Sequence, residues 1–512
     1  MNEKRKSMLA ILWLVLAAVL AFLGRGDTPI ELAVWLSPVF LLRYFSNTRP
    51  LWGFLTALPC MALAVFFSSQ GMTPFPLAMV IVLTIISTAV GLLPYLLHRL
   101  LAPKLPAGIK TLLFPAGFVT IMFLFFLGGS SGTWGNQAYG VQDLILLQLV
   151  SVTGIWGITF LIYWTAAVIN QVWWSRDKIE ENRSLLISFV VVLIVVCGYG
   201  VLRLHYMKPI EKTVRIAGIT PTQTQRVAVG SMLFKNPIRE TDIQKMRPLM
   251  DQLFLDLVEQ SVKVAKSGVE MVVWSEGAAI IFAGDEERYL QRARSAAKEQ
   301  GIYLGLAVIV LMDNIADLKR QSKPFFKNKF IFILPDGTTA WEHMKAMLVP
   351  GLEAPFTIPG DGILKTMDVP IGRVTGAICY EMDFPQLIRQ AGKSGSSLLL
   401  APSNDWAAIK HTHAAMARFR AIENGLALFR PTRRGISTAV DPYGRIVSQV
   451  DYFQSKGTPP VAVLPVQSVP TLYSFIGDLF AWLVLLGTLF LLVFAIIRHK
   501  RRKGEENKGK TL

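Results

Sequence analysis

The chain is 512 residues long, too long for one ordinary hydrophobic core, so we expect two or more structural units. Hydrophobic residues make up 52% of it and charged residues only 17%, which excludes an ordinary soluble enzyme and indicates membrane-spanning helices. A net charge of +17 fits a nucleic acid or an anionic lipid surface. Because the basic residues lie beside apolar segments, and no glycine-rich phosphate loop or aromatic–basic platform is present, we expect no nucleic-acid partner.

Eight apolar segments approach the ~20 residues that a helix needs to cross a bilayer. Seven lie in the N-terminal part of the chain and one lies near the C-terminus. They are Met8–Leu23, Ile30–Phe45, Leu51–Phe67, Pro76–Leu97, Leu112–Leu127, Leu144–Ile169, Leu185–Val201 and Phe475–Ile497. The first resembles a signal peptide, but the sequence Leu-Gly-Arg-Gly-Asp after it lacks a small-x-small cleavage site. We therefore expect an uncleaved anchor.

Lysine and arginine are unevenly distributed over the loops between these segments. If the N-terminus is cytoplasmic, the outer loops contain Arg25 alone. The inner loops then contain Arg43, Arg49, Arg99, Lys104, Lys110, Arg176, Lys178 and Arg183. This asymmetry predicts a multi-pass membrane protein with both termini in the cytoplasm. The predicted domains are a seven-helix membrane domain (1–206), an extracytoplasmic domain (207–470), a C-terminal span (471–498) and a basic tail (499–512).

The long polar section before the last apolar segment alternates predicted strands and helices. The predicted strands are Val214–Ile219, Met271–Trp274, Ile302–Leu311, Phe330–Leu334, Val374–Cys379 and Ser397–Ala401. The predicted helices are Asp242–Lys266, Glu286–Gln300 and His413–Leu426, and Thr438–Val447 is a predicted hairpin. Such alternation is typical of a mixed α/β domain.

Three chemically useful residues lie at predicted strand ends in this domain: Glu276, Lys345 and Cys379. A thiol nucleophile needs a nearby base or cation, and the oxyanion that it creates needs a fixed donor, so the three together suit acyl transfer. Each alone has a plainer explanation: a helix cap, a solvated charge and a packed core thiol. Cys60 and Cys197 lie in apolar segments, so we expect no disulfide and an unpaired Cys379.

Five motifs, in order and spacing, resemble those of the nitrilase (carbon–nitrogen hydrolase) superfamily, and the arrangement of spans around the α/β domain resembles the apolipoprotein N-acyltransferase family. The motifs are Trp274–Gly277, Lys345–Glu353, Ala377–Glu381, Ser403–Trp406 and His413–Glu423. The resemblance implies an α-β-β-α sandwich for the extracytoplasmic domain.

The resemblance also implies roles for individual residues. Glu276 matches the general base, Lys345 the catalytic lysine, Cys379 the nucleophile and Glu353 a second glutamate that positions the site. The other matched positions are the pair beside the nucleophile and a loop beside the pocket. They are Tyr380, Glu381, Ser403, Asn404 and Asp405.

The sequence departs from the family pattern at three places. Ser275 stands where a proline is usual. Residues 219–225 replace the usual Gln-Gly/Asn-x-x-Gln segment, and no tryptophan follows them before Trp274. Thr432–Gly435 replaces an Asn-x-Gly pattern and contains Arg433 and Arg434. Two arginines near a lipid-facing pocket could bind a phosphate headgroup, or they could be a solvated loop pair.

The expected function is transfer of a fatty acyl chain from a phospholipid, through a thioester on Cys379, to the N-terminal amine of a lipoprotein. We expect no cofactor and no metal, and a monomer. One alternative is a membrane-tethered amidase or nitrilase, in which water or another amine takes the acyl group. Another is a non-catalytic lipid- or protein-binding module on the same scaffold, against which the joint presence of the three residues argues.

Overall fold

The chain folds into two units, one of Met1–Met207 with Ile476–Leu512 and one of Lys208–Phe475. The computed structural model describes residues 3–175, 180–206, 212–221, 223–235, 237–455 and 457–508. Arg176 and Lys178, used above to predict orientation, lie outside the described residues.

The first unit is helical. Its longer helices are α1 (Glu3–Leu23), α2 (Glu31–Ser46), α3 (Pro50–Ser68), α4 (Leu77–Leu101), α5 (Ala107–Leu127), α8 (Ile155–Trp174), α9 (Arg183–His205) and α17 (Leu479–Lys508). Six stretches of the described helices are long and apolar enough to cross a membrane. They are Pro50–Ser68, Leu77–Lys104, Gly108–Leu127, Ile155–Trp174, Glu180–His205 and Leu479–Arg502. The apolar part of α1 and the whole of α2 are shorter, so seven N-terminal spans stay a prediction.

One predicted segment is wrong in detail. The interval Leu144–Ile169 was expected to form a single helix, but it begins with two short helices, α6 (Leu144–Leu147) and α7 (Val150–Thr153). Gly154 then adopts φ 61° and ψ −167°, a conformation that is essentially restricted to glycine. The helix therefore breaks there, and the long helix α8 starts at Ile155.

The second unit is built on two large sheets, the first with seven strands and the second with six. Its strands are β1 (Thr213–Ile219), β2 (Met271–Trp274), β3 (Ala279–Phe282), β4 (Tyr303–Leu311), β5 (Phe326–Ile333), β6 (Thr339–Met344), β7 (Thr366–Val369), β8 (Gly372–Gly376), β9 (Leu398–Leu400), β10 (Ser403–Asn404), β11 (Ala427–Arg430), β12 (Thr432–Arg433), β13 (Ile436–Val440), β14 (Ile446–Asp451) and β15 (Val461–Pro465). The first sheet has the order β15-β1-β2-β4-β5-β6, with β3 beside β4. The second has the order β14-β13-β11-β9-β8-β7, and β10 pairs with β12 apart from both.

Helices cover the outer face of each sheet. They are α10 (Gln223–Leu233), α11 (Glu240–Ala265), α12 (Glu286–Gln300), α13 (Ile315–Arg320), α14 (Pro385–Lys393), α15 (Lys410–Asn424) and α16 (Leu472–Ile476). Alternate residues of β1 and β2 pack against α11 and α12, and the intervening residues pack against the second sheet. On the other side, α14 and α15 pack against β9 and β11. This arrangement is the expected α-β-β-α sandwich, and the predicted fold class is confirmed.

The two sheets are packed closely at Gly376, the last residue of β8. A Cβ atom at this position would lie 2.6 Å from the rings of Phe330 and Trp341, which belong to the first sheet. Only glycine fits there without displacing an aromatic side chain. The close approach brings the carboxyl end of β8 against the first sheet, and Cys379 follows three residues later.

The carboxyl ends of several strands lie at one edge of each sheet. In the first sheet β2 and β4 are parallel, and two antiparallel steps through β5 return β6 to the same direction. In the second sheet β8, β9 and β11 are parallel. The sheets therefore bring together two groups of residues. One group directly follows β2 and β6 of the first sheet, and the other follows β8, β9 and β11 of the second sheet.

Most of the strands and helices predicted in this unit are confirmed within a few residues, but the strand predicted to end at Cys379 is not. Strand β8 ends at Gly376, and Cys379 begins a 3-10 turn that runs to Asp383. Its φ of 49° lies in the left-handed region, which a strand residue does not adopt. The prediction failed because an apolar sequence continues through Ala377 and Ile378 after the ladder has ended.

Candidate active site

The side chain of Lys345 lies at the centre of the site and is 1% exposed. Its Nζ donates to Glu276 Oε1 at 2.7 Å and to both carboxylate oxygens of Glu353, at 2.9 and 2.7 Å. Burial alone lowers the pKa of Lys345, but the charges of Glu276 and Glu353 outweigh it and raise the pKa well above its ordinary value. Lys345 is therefore a fixed ammonium ion between two carboxylates.

Glu276 is held on a second side by the first sheet. It follows β2 after Ser275, and its Oε1 also accepts a hydrogen bond from Asn328 Nδ2 of β5 at 2.8 Å. The side chain is buried, so these two donors replace the water that a carboxylate would otherwise need. Both bonds fall on one oxygen, and they fix the orientation of the carboxylate.

Cys379 is a buried free thiol in a strained backbone conformation. Its Sγ lies 3.7 Å from the carbonyl oxygen of Asn404, and its N–H donates to Pro402 O at 2.9 Å. Burial raises the pKa of Cys379 well above its ordinary value, and the charge of Glu276 raises it further while Lys345 opposes the shift. The resting sulfur is therefore a thiol, and it would have to lose its proton to act as a nucleophile.

Glu381 ties the turn that carries Cys379 to the segment that carries Lys345. This fully buried carboxylate accepts from Ile378 N–H at 2.7 Å on one oxygen and from Ala346 N–H at 2.8 Å on the other. The oxygen bonded to Ile378 also faces His343 Nε2 at 2.8 Å. Burial lowers the pKa of His343, but Glu381 outweighs this and the net pKa is raised.

A second buried network supports the loop behind the nucleophile. Asp405 accepts two hydrogen bonds from Arg430 Nη2, at 2.7 and 2.9 Å, and one from His413 Nδ1 at 2.7 Å. The other ring nitrogen of His413 lies 3.1 Å from Asp383. Burial raises the pKa of Asp405, but Arg430 and His413 outweigh it, so the pKa is lowered. Burial and Arg430 lower the pKa of His413, but Asp405 and Asp383 raise it to about 9.

Cys379, Asp405 and His413 also resemble a set of metal ligands, because one ligand atom of each lies within 4.8 Å of the others. Both nitrogens of His413 face carboxylates, and its raised pKa makes it a protonated donor at neutral pH. Arg430 already supplies a positive charge to Asp405, so a divalent cation at this place would add a second positive group beside it. These contacts describe an ion-pair network and do not fit a divalent cation.

The structure brings most of the predicted site residues together. Glu276, Lys345 and Glu353 are in direct contact, and the charges of the first two act on Cys379. The remaining positions support the loops: Ser403 Oγ donates to Ala401 O at 3.0 Å, and the ring of Tyr380 packs edge-on against Phe384. The predicted supporting role of Ser403 and Tyr380 stays a prediction.

Sequence reasoning missed several members of these networks, namely Asn328, His343, Asp383, His413 and Arg430. His413 opens the last of the five motifs, so a signal was present although no role was assigned to it. No sequence signal distinguished Asn328, because it is one polar residue in the alternating sequence of β5.

Arg433 and Arg434 differ in position. Arg433 lies on β12, which pairs in parallel with β10 so that Arg433 is the partner of Asn404. Its side chain is partly buried, and that of Arg434 is exposed on a residue with φ 56°.

Comparisons with known proteins agree with this description. Residues 235–465 match the carbon–nitrogen hydrolase family. The chain is 26% identical to the apolipoprotein N-acyltransferase of Geobacter metallireducens over 97% of this chain and 96% of that protein. It is 24% identical to the apolipoprotein N-acyltransferase of Haemophilus influenzae over 72% of this chain and 71% of that protein. Among solved structures, an amidase from Nesterenkonia sp. matches with 16% identity and a TM-score of 0.39, over 50% of this chain and 92% of that one. The resemblance inferred from the motifs is confirmed.

We predict that the His413 network makes the stability of the protein depend on pH between 6.5 and about 9. Because the pKa of His413 is higher in the folded chain, its stabilisation is complete below 6.5 and is lost as the pH rises to about 9. The loss is on the order of 3 kcal/mol. Thermal unfolding of the detergent-solubilised protein across this range measures it.

The His413→Gln variant should not lose stability over this pH range, because its thermal unfolding midpoint should already be low at pH 6.5. The exposed neighbour provides the control, and His411→Gln should keep the decline. An equal pH dependence in wild type and His413→Gln would refute the assignment.

Proposed function

We propose that this chain, which carries a carbon–nitrogen hydrolase domain and is similar over nearly its whole length to apolipoprotein N-acyltransferases, is itself an N-acyltransferase that acylates lipoproteins. The observation that carries the proposal is the buried ammonium of Lys345, bound to Glu276 and acting with it on the neutral thiol of Cys379. A base, a fixed cation and a protonated nucleophile are the groups that acyl transfer through a thioester requires.

In the first half-reaction, Cys379 Sγ attacks the carbonyl carbon of a phospholipid ester. Its proton passes to Glu276, and the negative oxygen of the tetrahedral intermediate is stabilised by Lys345. The carbon–oxygen bond to the glycerol then breaks, and Glu276 returns the proton to the departing oxygen. The products are a lysophospholipid and an acyl thioester on Cys379.

In the second half-reaction, the N-terminal amine of a lipoprotein cysteine attacks the thioester carbonyl. Glu276 accepts a proton from the amine and returns it to the sulfur as the carbon–sulfur bond breaks, leaving an amide and the free thiol. Glu353 takes no proton in this scheme. Bound to Lys345 through both oxygens and to Val349 N–H at 3.1 Å, it holds the ammonium in place.

The membrane helices provide a reason to favour this reaction over hydrolysis of soluble amides. Donor and acceptor are both anchored in a bilayer, and a hydrolase of soluble amides would need at most one anchoring helix. We propose that the chain acts as a monomer in the bacterial cytoplasmic membrane. The α/β unit, which corresponds to the predicted domain 207–470, then lies on the extracytoplasmic side, and both termini are cytoplasmic.

The thioester is testable by trapping. Purified protein incubated with a phospholipid bearing a labelled acyl chain should acquire a label that hydroxylamine releases. Cys379→Ala should abolish the label, whereas Cys197→Ala, which removes a cysteine of helix α9, should retain it. Glu276→Gln should slow labelling by roughly 10²- to 10⁴-fold, the usual value of a general base.

Addition of a diacylated lipopeptide then separates transfer from hydrolysis. Discharge of the label onto the lipopeptide amine is the expected result. Discharge to water at the same rate with and without lipopeptide would favour the membrane-tethered hydrolase. Acylation of the lipopeptide by Cys379→Ala would end the proposal.

The orientation has its own test in a variant without Cys60 and Cys197. A thiol reagent that cannot cross membranes should label Lys323→Cys, an exposed position of the α/β unit, in intact cells. It should label Arg501→Cys in the tail only after the cells are opened. The reverse pattern would contradict the proposed topology.

A further inference from the structure

Two arginines are anchored beside the catalytic residues, one on helix α10 and one on the short strand β12. Arg226 belongs to α10, and its Nε donates to the carbonyl oxygen of Gly277 at 2.9 Å. Gly277 directly follows Glu276, so the guanidinium of Arg226 is fixed one residue from the proposed base. Only backbone is bound by this contact, and the charge of Arg226 is not neutralised by it.

Arg433 is anchored beside the nucleophile. It is the β-ladder partner of Asn404, whose carbonyl oxygen lies 3.7 Å from Cys379 Sγ. The carbonyl oxygen of Arg433 accepts from Asp405 N–H at 3.0 Å, which fixes its backbone to the same loop. Its Nε is buried and has no hydrogen-bond partner among the described residues.

The charge of Arg433 acts on Arg226, and neither guanidinium group is bonded to a carboxylate among the described residues. Burial and the charge of Arg433 lower the pKa of Arg226 to about 9. Burial and the charge of Arg434 lower the pKa of Arg433, and Glu276 opposes the shift for both. Among the described side chains, neither arginine forms an ion pair, and Glu276 is already bonded to Lys345 and Asn328.

More deeply buried cations of this unit contrast with this pair. Lys345 has two carboxylates, and Arg430 and His413 share Asp405. Two partly buried guanidinium groups without a bonded carboxylate are unfavourable unless an anion binds them. Their donors form planar forks, which match the oxygens of a phosphate in pairs.

We infer that Arg226 and Arg433 bind the phosphodiester group of the acyl donor and thereby present its ester carbonyl to Cys379. The inference rests on the proposed function and specifies how the donor is recognised. In a glycerophospholipid only the glycerol carbons separate the phosphate from the esters, so a phosphate held beside Gly277 and Asn404 leaves an ester within reach of the sulfur. Arg434, which is exposed, is outside this site.

A phosphate site at Arg226 and Arg433 affects only one of the two half-reactions. The donor carries a phosphate, whereas a diacylated lipopeptide acceptor carries none. The arginine pair therefore promotes formation of the thioester and has no part in its discharge. It also makes the enzyme prefer a phospholipid to a neutral diacylglycerol that has the same acyl esters.

The test uses the full chain in detergent, with Arg226→Gln, Arg433→Gln and the double variant. The matched control is Arg292→Gln, which removes the charge of an exposed arginine on α12. Single-turnover thioester formation is measured with dioleoylphosphatidylethanolamine and with dioleoylglycerol. Each single variant should lose roughly 10-fold in rate with the phospholipid, and the double variant more, because hydrogen bonds to a charged group are lost.

The rate with dioleoylglycerol should stay within about 2-fold of wild type in every variant, and so should discharge of a preformed thioester to lipopeptide. Arg433→Lys should recover part of the phospholipid rate, because it restores the charge without the fork. An equal loss with both donors would show a structural role and overturn the inference, as would an unchanged phospholipid rate.

Competition experiments distinguish a site for free phosphate from a site for the phosphate of a phospholipid. Sodium phosphate and sn-glycerol 3-phosphate should each inhibit the phospholipid reaction of wild type and lose that effect in the double variant. Protection of the protein from heat by sodium phosphate, with no change of donor preference in the variants, would assign the site to free phosphate and overturn the lipid assignment. If wild type forms no thioester with either donor, the proposed function itself fails.

Discussion

The constraint on which this site depends is the burial of a charged amine. An ammonium ion with 1% of its surface exposed is stable only if opposite charges and hydrogen bonds replace its water. Lys345 meets this requirement with Glu276 and Glu353, which also fixes the proposed base and the cation at one place. The same two ion pairs therefore stabilise a buried charge and create the electrostatic setting that the proposed acyl transfer requires.

The proposed nucleophile comes from the other sheet. Glu276 and Lys345 follow strands of the first sheet, and Cys379 follows a strand of the second, so the proposed chemistry depends on how the sheets meet. Glu381 fixes that junction, because its two oxygens bind backbone N–H groups beside Lys345 and beside Cys379. We expect the distance between sulfur and ammonium to depend on this carboxylate more than on any exposed residue.

The sequence was sufficient to predict the strand before Glu276 and most helices, because apolar periodicity is a local property. The sandwich was expected from the resemblance of the five motifs to a known family, and strand β6 before Lys345 was not predicted. The strand end at Cys379 and the break at Gly154 depend on backbone conformations that apolar sequence does not reveal. Asn328, Arg226 and Arg430 are distant in sequence from the residues that they contact. Their contacts follow from tertiary packing, which single-sequence patterns do not contain.

The central claim is that Cys379 rests as a neutral thiol and loses its proton only as it attacks. The most direct measurement is a pH titration of ultraviolet thiolate absorbance, taken as the difference between wild type and Cys379→Ala in a background without Cys60 and Cys197. Because burial raises the pKa of Cys379 above its ordinary value of 9.0, no thiolate difference should appear below that pH. A full thiolate signal at neutral pH would contradict the account, since it would show a resting ion pair with Lys345 and leave Glu276 no proton to accept from the sulfur.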